Sequence, residues 1–538
     1  MNLGYISKNK IFILIILIFF MYLYTSSIPY SLVPKPMFNS PNINMYYFFT
    51  NLYMENANLS FKPQYIDILP RDIAIALTPR DAAQFNKKIV LQGTLITPIL
   101  YGTASIFGKV LILILTPFFS LIAALCYYLL VKEIFDNKTA IITMMLLLLF
   151  PLYWYHSSIL IMDVILSTLF LLIGLLYYFK LIKEQKNVYF LLSFLFLIFS
   201  ALFRYENLLL LMPLPFIYIY VNKKIIKWNW SIIASIISIF VILPILILNR
   251  NLYGSYFLTG WQILFKLFAE LGYTQDSYFS VTAFYRHISY IFGFYIFYTV
   301  FISFGLILFI KDHIKRDVIK YTYLYYIISV LVLKIFYHGG KESFGYDIIV
   351  IHPSFLRLML PVLILFLPFI VLSITKIKII TSSPFNKVLC CLFALTFVIV
   401  SINIVMNTNE GILDLNQKYY PRLGAYNFVM ENTEKNSIII TLRNDKIFFP
   451  DRTTLIGHYL YRHRDFGRNS WGEYPPMEIL AQKIIIIANK HIPLYIDHLS
   501  RYQYVNLKKV LENNGFDLLA MRDSKGYQLF KVRKKGEE

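Results

Sequence analysis

The sequence predicts an α-helical multi-pass membrane protein with about eleven transmembrane helices and a smaller α/β domain after them. Three observations carry this reading. Hydrophobic residues make up 58% of the 538 positions and aromatic residues 18%, which is too apolar for a soluble domain of this size. Eleven apolar stretches lie at 11–27, 109–131, 139–155, 159–179, 188–203, 206–221, 230–249, 289–310, 321–337, 355–374 and 386–406. They approach or reach the length needed to cross about 30 Å of hydrocarbon. Every second connection between them is short and basic.

The basic connections fix an expected orientation. Lys8 and Lys10 precede the first span, and Lys132 and Lys138 flank the next such turn. Lys180, Lys183 and Lys186 follow, then Lys223, Lys224 and Lys227, then Lys311, Lys315, Arg316 and Lys320, and finally Lys376, Lys378 and Lys387. By the positive-inside rule these ends are cytoplasmic, with the N-terminus inside. The segments 28–95, 250–288 and 338–354, and everything from 407, are then extracytoplasmic, in a plasma-membrane protein. The first run has a basic flank like a signal peptide, but no small-residue cleavage site follows, so a retained anchor is expected. Segment 28–95 holds Pro34, Pro36, Pro41, Pro63, Pro70 and Pro79, with weakly amphipathic stretches at 46–53 and 91–106 suited to an interface. Loops of this length are usually functional; the plainer alternative is a cover for the bundle.

The membrane part, residues 1–406, ends where apolar runs shorten and charges become frequent. In 407–538, the runs 437–442 (SIIITL), 483–488 (KIIIIA) and 493–497 (PLYID) read as short β-branched segments. The stretch 507–513 (LKKVLEN) reads as helical, and 527–532 (YQLFKV) alternates like a terminal strand. Strands interleaved with helices predict an α/β domain. It carries neither a glycine-rich phosphate loop nor a nucleophile elbow, so a cap or acceptor-handling module is expected.

The net charge of +21 falls largely in the inner loops. It reads as topology and contact with anionic lipid, not as a nucleic-acid surface. Cys126, Cys390 and Cys391 lie inside apolar spans and form neither a disulfide framework nor a metal cluster. No internal repeat is evident, which argues against carriers built from inverted repeats.

Ionisable groups at membrane depth are costly, and those that persist are candidates for function. Asp163 lies in 153–164 (YWYHSSILIMDV), just inside the outer end of a span. Arg204 and Glu206 lie in 203–207 (FRYEN), at an outer turn, and Arg357 follows His352 in 352–361 (HPSFLRLMLP). All face one side by the charge-derived topology. An acid with two arginines there suits a lipid-linked phosphate, because arginine binds phosphate bidentately and the acid can position a nucleophile or metal. The structural alternative is an Asp–Arg pair that holds helices together. Lys334 also falls within a span, where it can snorkel or pair, and has no assigned role.

The segments 98–108 (PILYGTASIFG), 135–140 (FDNKTA), 151–163 (PLYWYHSSILIMD), 201–206 (ALFRYE) and 355–361 (FLRLMLP) come in the order and spacing of a known group. The chain resembles the GT-C superfamily of polyprenyl-phosphate-sugar transferases, which includes protein O-mannosyltransferases, the aminoarabinose transferases of lipid A and RgtA/B/C/D-like glycosyltransferases. In that family a catalytic carboxylate sits in the first outer loop. The matching stretch here, 40–47 (SPNINMYY), has Asn42 and Asn44 instead, and an amide cannot act as a base at neutral pH. Glu55, Asp67, Asp72 and Asp81 of the same loop, or Asp163, are the remaining candidates. Asp163, Arg204 and Arg357 match residue types the family keeps near the donor phosphate. The resemblance leaves a divalent metal ion optional. Glu270, Asp276, His287, His338, Glu342, Asp347 and His352 are the outer acids and histidines, and they show no compact ligand spacing.

What the resemblance implies is transfer of a sugar from a polyprenyl-phosphate-linked donor to an acceptor protein, lipid or glycan at the outer face of the membrane, with inversion. Two other readings stay open: a transporter or lipid flippase, which would carry polar residues through both leaflets, and a catalytically degenerate partner subunit, which the asparagines favour.

Overall fold

A computed structural model of the chain describes residues 3–28, 40–222, 228–270, 285, 289, 295–313, 317–338, 354–380, 385–442, 444–460, 476–524 and 526–536. Two compact units gather discontinuous parts of the chain. The first comprises Met1–Pro29, Phe107–Pro244 and Asp276–Leu415; the second comprises Tyr30–Ile106, Ile245–Gln275 and Asn416–Glu538. The long segment 30–106 thus groups with the C-terminal residues, because its contacts run to them.

The first unit is helical. Among the described residues, five helices are long and apolar enough to cross a membrane: Leu111–Ile134, Asp163–Glu184, Asn229–Tyr253, Val318–Tyr337 and Leu356–Thr375. The last of these is broken by a 3₁₀ turn, Ile364–Phe366, and the third runs on past the end of the unit. Asn137–Leu149 and Pro151–Ser157 make a sixth if counted as one span bent by 62°. Five further apolar helices are shorter: Lys10–Ser26, Asn187–Phe203, Tyr205–Val221, Ile296–Lys311 and Cys391–Asn407.

Helix breaks at membrane depth free backbone carbonyls, which cost several kcal/mol each unless something donates to them. Buried tyrosines meet that need. Tyr24 donates to the Leu148 carbonyl at 2.7 Å, beside the 62° bend. Tyr127 and Tyr323 donate to the carbonyls of Ile364 and Leu365 at 2.5 and 2.6 Å, at the 3₁₀ break that follows Ser354–Leu363. Tyr178 donates to Leu214 at 2.8 Å. Asp163–Glu184 and Asn187–Phe203 pack closely because Gly174 has no side chain: a Cβ there would lie 2.6 Å from Leu197 Cγ. Phe170 stacks on Phe203 at 5.4 Å and 8° in the same seam.

The second unit contains two sheets. In that long segment, β1 (Ser60–Phe61), β2 (Ala82–Phe85) and β3 (Lys88–Leu91) form an antiparallel sheet in the order β1-β3-β2. The helix Pro41–Asn56 packs on Ile96–Ser105 beside it. Nearer the C-terminus, β4 (Ile438–Thr441), β5 (Thr453–Ile456), β6 (Leu494–Asp497), β7 (Phe516–Arg522) and β8 (Gln528–Lys534) form a sheet in the order β5-β4-β6-β8-β7. β4 pairs parallel with β5 and β6, and β8 runs antiparallel to its neighbours.

One strand-like run is corrected. KIIIIA is helical and ends the helix Met477–Ala488. Leu480, Ala481, Ile484 and Ile487 recur on one buried face, and that packing outweighs the preference of isoleucine for strands.

Candidate phosphate-binding site in the helical unit

Three helix ends build the cluster. Asp163 opens the helix Asp163–Glu184 and is 6% exposed. A carboxylate in the first turn is favoured by the unpaired N–H groups and the positive end of the helix dipole. The residues before it, Ser158–Met162, are buried, and Ile161 takes φ +51°, a conformation a β-branched residue adopts only where the surroundings impose it. Arg204 follows the last residue of Asn187–Phe203 in an extended conformation, φ −150° and ψ 107°. That break leads into the single turn Tyr205–Asn207. Asn207 Nδ2 then donates to Ser200 Oγ at 3.0 Å, and Ser200 Oγ donates to the Ser167 carbonyl at 2.7 Å, which clamps the turn to the Asp163 helix.

The result is a chain of charges. Arg204 Nη1 donates to Asp163 Oδ1 at 3.0 Å, and Arg204 Nε lies 3.6 Å from Glu206 Oε2. On the far side of Glu206, Lys334 Nζ is 4.0 Å from the same oxygen. Lys334 lies in the helix Val318–His338, is 0% exposed, and its ammonium makes no hydrogen bond among the described residues. Arg357 stands in the first turns of Ser354–Leu363, a helix packed on both the Asp163 and the Lys334 helices. It is 9% exposed, and its Nε has no hydrogen-bond partner among the described residues. Among the described residues, two cations, Arg204 and Lys334, thus join two carboxylates where water is largely excluded, with a third cation, Arg357, buried on a neighbouring helix. An anion would give the unmet donors of Lys334 and Arg357 a partner, and guanidinium N–H groups are suited to phosphate oxygens.

Comparison with known proteins adds the fold. Residues 95–248 match the family model described as dolichyl-phosphate-mannose-protein mannosyltransferase. The chain is similar to the crystal structure of ArnT from Cupriavidus metallidurans bound to undecaprenyl phosphate, at 11% identity and a TM-score of 0.56, covering 99% of this chain and 100% of that one. It is likewise similar to the Archaeoglobus fulgidus oligosaccharyltransferase tethered with an acceptor peptide, at 12% identity and a TM-score of 0.56, covering 97% and 74%. The fold is GT-C. Comparison with curated protein sequences gives no match.

On this fold, the structure joins Asp163, Arg204 and Glu206 and adds Lys334, which the sequence left without a role. The signal was a lone lysine in an apolar run; that it is buried and does not snorkel only the packing reveals. The first-loop candidates belong to the second unit. Asn42 and Asn44 lie in the first turn of Pro41–Asn56; Asn44 is buried, and its Nδ2 has no hydrogen-bond partner among the described residues. Glu55 is exposed near the end of that helix. Asp67 pairs with Lys62 and Lys87 on the surface, and Asp72 with Lys483. Asp81 stands in a turn at φ +62°.

His352 lies outside the described residues, as do Asp276, His287, Glu342 and Asp347 and the side chains of Glu270 and His338. Among the described residues, no group of three or more histidine, cysteine, aspartate or glutamate side chains is arranged to hold a metal ion.

Proposed function

We propose that the protein is a membrane glycosyltransferase that moves a sugar from a polyprenyl-phosphate donor to an acceptor at the outer face of the membrane. The observation that carries this is the set of buried cations Arg204, Lys334 and Arg357, two of them with donors unmet among the described residues, in a GT-C fold. A lipid-linked phosphate is an anion that reaches such a depth because its tail dissolves in the bilayer. The topology that goes with this reading has eleven crossings: the five long helices, the bent pair and the five shorter ones. The N-terminus is then cytoplasmic and residues 407–538 extracytoplasmic.

In this reading Arg204 and Arg357 hold the donor phosphate. Asp163 orients Arg204, and Glu206 tethers Arg204 to Lys334. An inverting displacement brings the acceptor in opposite the leaving phosphate. Asp163, which is bonded to a phosphate-binding arginine, therefore belongs with the leaving group, and Glu55 is the candidate base for the acceptor hydroxyl. Asn42, Asn44 and His352 are candidate sugar contacts. The acceptor is a protein, lipid or glycan, and a divalent metal ion remains an option for the outer loops.

The test is release of lipid phosphate from labelled polyprenyl-phosphate hexose by the purified protein, with mixed acceptors. Wild type releases it; Asp163→Asn lowers both donor binding and turnover. Glu55→Gln lowers turnover and leaves donor binding unchanged. Equal release by wild type and Asp163→Asn would remove Asp163 from the site. No release with any donor would overturn the reading.

A further inference from the structure

We infer that the turn 256–261 docks into the headgroup layer of the bilayer and ties the β1–β3 sheet to the membrane surface. The inference does not depend on the transferase reading. It starts from the helix Asn229–Tyr253, the most apolar of the five long helices. Ile236, Ile239, Phe240, Leu243 and Ile247 form an exposed stripe along it. On a spanning helix such a stripe faces lipid, and Ile247 marks how far the lipid contact runs.

Beyond Tyr253 the chain reverses. Gly254 takes φ +79°, a conformation that glycine adopts without strain. Tyr256 then comes back beside the last turns of the helix. Asn249 Nδ2 donates to the Tyr256 carbonyl at 3.3 Å, and Arg250 Cζ lies 4.9 Å from the centre of the Tyr256 ring. Arg250 Nη1 also donates to the Tyr256 hydroxyl. Asn249 and Arg250 follow Ile247 by two and three residues. At 1.5 Å of rise per residue, Tyr256 therefore stands only about 3–5 Å beyond the last lipid-facing side chain. That is the depth of headgroups and upper acyl carbons, where aromatic rings and snorkelling arginines are favoured.

The turn presents what such a layer takes. Phe257 is 78% exposed and Trp261 44%. Trp261 stands in the first turn of the helix Gly260–Glu270, whose Ile263 and Leu264 are buried. A helix facing water carries polar groups on its outer side. Here the outer side carries Trp261, packed on Phe265 with ring centres 5.6 Å apart, and then the exposed Lys266. The segment is braced from within its own unit. The Tyr253 hydroxyl donates to the Leu91 carbonyl at 2.9 Å, a Cβ on Gly260 would lie 2.1 Å from that oxygen, and the helix packs on β2. Lipid that holds Phe257 and Trp261 thus holds β2 and β3 as well. A second helix end repeats the pattern: Ile106, Phe107 and Val110, all more than half exposed, lead into the spanning helix Leu111–Ile134.

The test places the full-length protein in phosphatidylcholine vesicles and reads the emission of Trp261 as the difference between wild type and Trp261→Phe. The quenchers are nitroxide lipids labelled at the headgroup, high on the acyl chain or near its end, and iodide in the water. The difference signal should be quenched most by the two shallow lipid labels, and less by the deep label and by iodide. A dye attached to Phe257→Cys, read against wild type treated alike, should report the same depth. It decides the matter alone if Trp261→Phe disturbs the fold. Quenching by iodide and not by lipid would put the turn in water and overturn the proposal. Quenching by neither would mean that protein covers it, a second copy or another partner, and would overturn it too. Either failure leaves the transferase reading in place.

Discussion

Two arginines, one in each unit, are treated differently by the protein. In the second unit, Arg80 is closed on Asp445, which is 1% exposed: the Arg80 backbone N–H donates to Oδ2 at 3.1 Å, Nε to Oδ1 at 2.8 Å, and Nη2 lies 2.6 Å from Oδ1. Backbone and side chain together satisfy one carboxylate. In the first unit, Arg357 keeps an Nε with no hydrogen bond among the described residues, and Lys334 keeps an ammonium in the same state. A closed pair serves the fold, since removing the arginine strands a buried carboxylate. Buried cations with unmet donors cost stability, and binding of an anion offsets that cost.

The comparison can be broken by substitution, and the largest effect falls on the closed pair. Arg80→Ala should destabilise the second unit by about 3–5 kcal/mol, because Asp445 stays buried without its partner; thermal or denaturant unfolding checks this. Arg357→Met should behave in the opposite way. Folding should be unchanged or slightly improved, since an apolar side chain replaces a cation with an unmet donor. Donor turnover should fall on the order of 10²–10³-fold, as when one transition-state donor is removed.

Replacing both members of the closed pair, Arg80→Met with Asp445→Leu, should recover most of the loss, to within about 1 kcal/mol of wild type. A double variant as unstable as Arg80→Ala would mean that the pair does more than neutralise itself. The smallest effect belongs to a surface carboxylate of the C-terminal sheet. Burial pushes Glu434 up, but hydrogen bonds from Tyr495 and Lys531 outweigh it and leave its pKa below the ordinary 4.5. A lowered carboxylate pKa stabilises the fold above the unfolded value and loses that contribution as pH falls through the folded one. Glu434→Gln should therefore cost less than about 1 kcal/mol at neutral pH, and the difference should vanish in acid.

The same contrast explains what could be read in the sequence. Asp163, Arg204 and Arg357 stood out because a charge inside an apolar run is conspicuous without any structure. SIIITL and YQLFKV announced β4 and β8 by composition. KIIIIA did not, because four isoleucines in a row hide the helical period that its buried face obeys. The antiparallel sheet of residues 60–91 was invisible, since strands of two to four residues leave no pattern. Arg80 and Asp445 are 365 positions apart, and nothing local marks either as half of a pair. Lys334 was seen but not understood: a lysine near a helix end ordinarily snorkels, and only packing shows that this one does not.

The central claim is that the open cluster exists to hold a lipid-linked phosphate. It is tested most directly by donor turnover with labelled polyprenyl-phosphate hexose, comparing wild type with Arg357→Met. The account predicts release of the lipid phosphate by wild type and loss on the order of 10²–10³-fold in the variant, with folding intact. Equal release by the two proteins would contradict it.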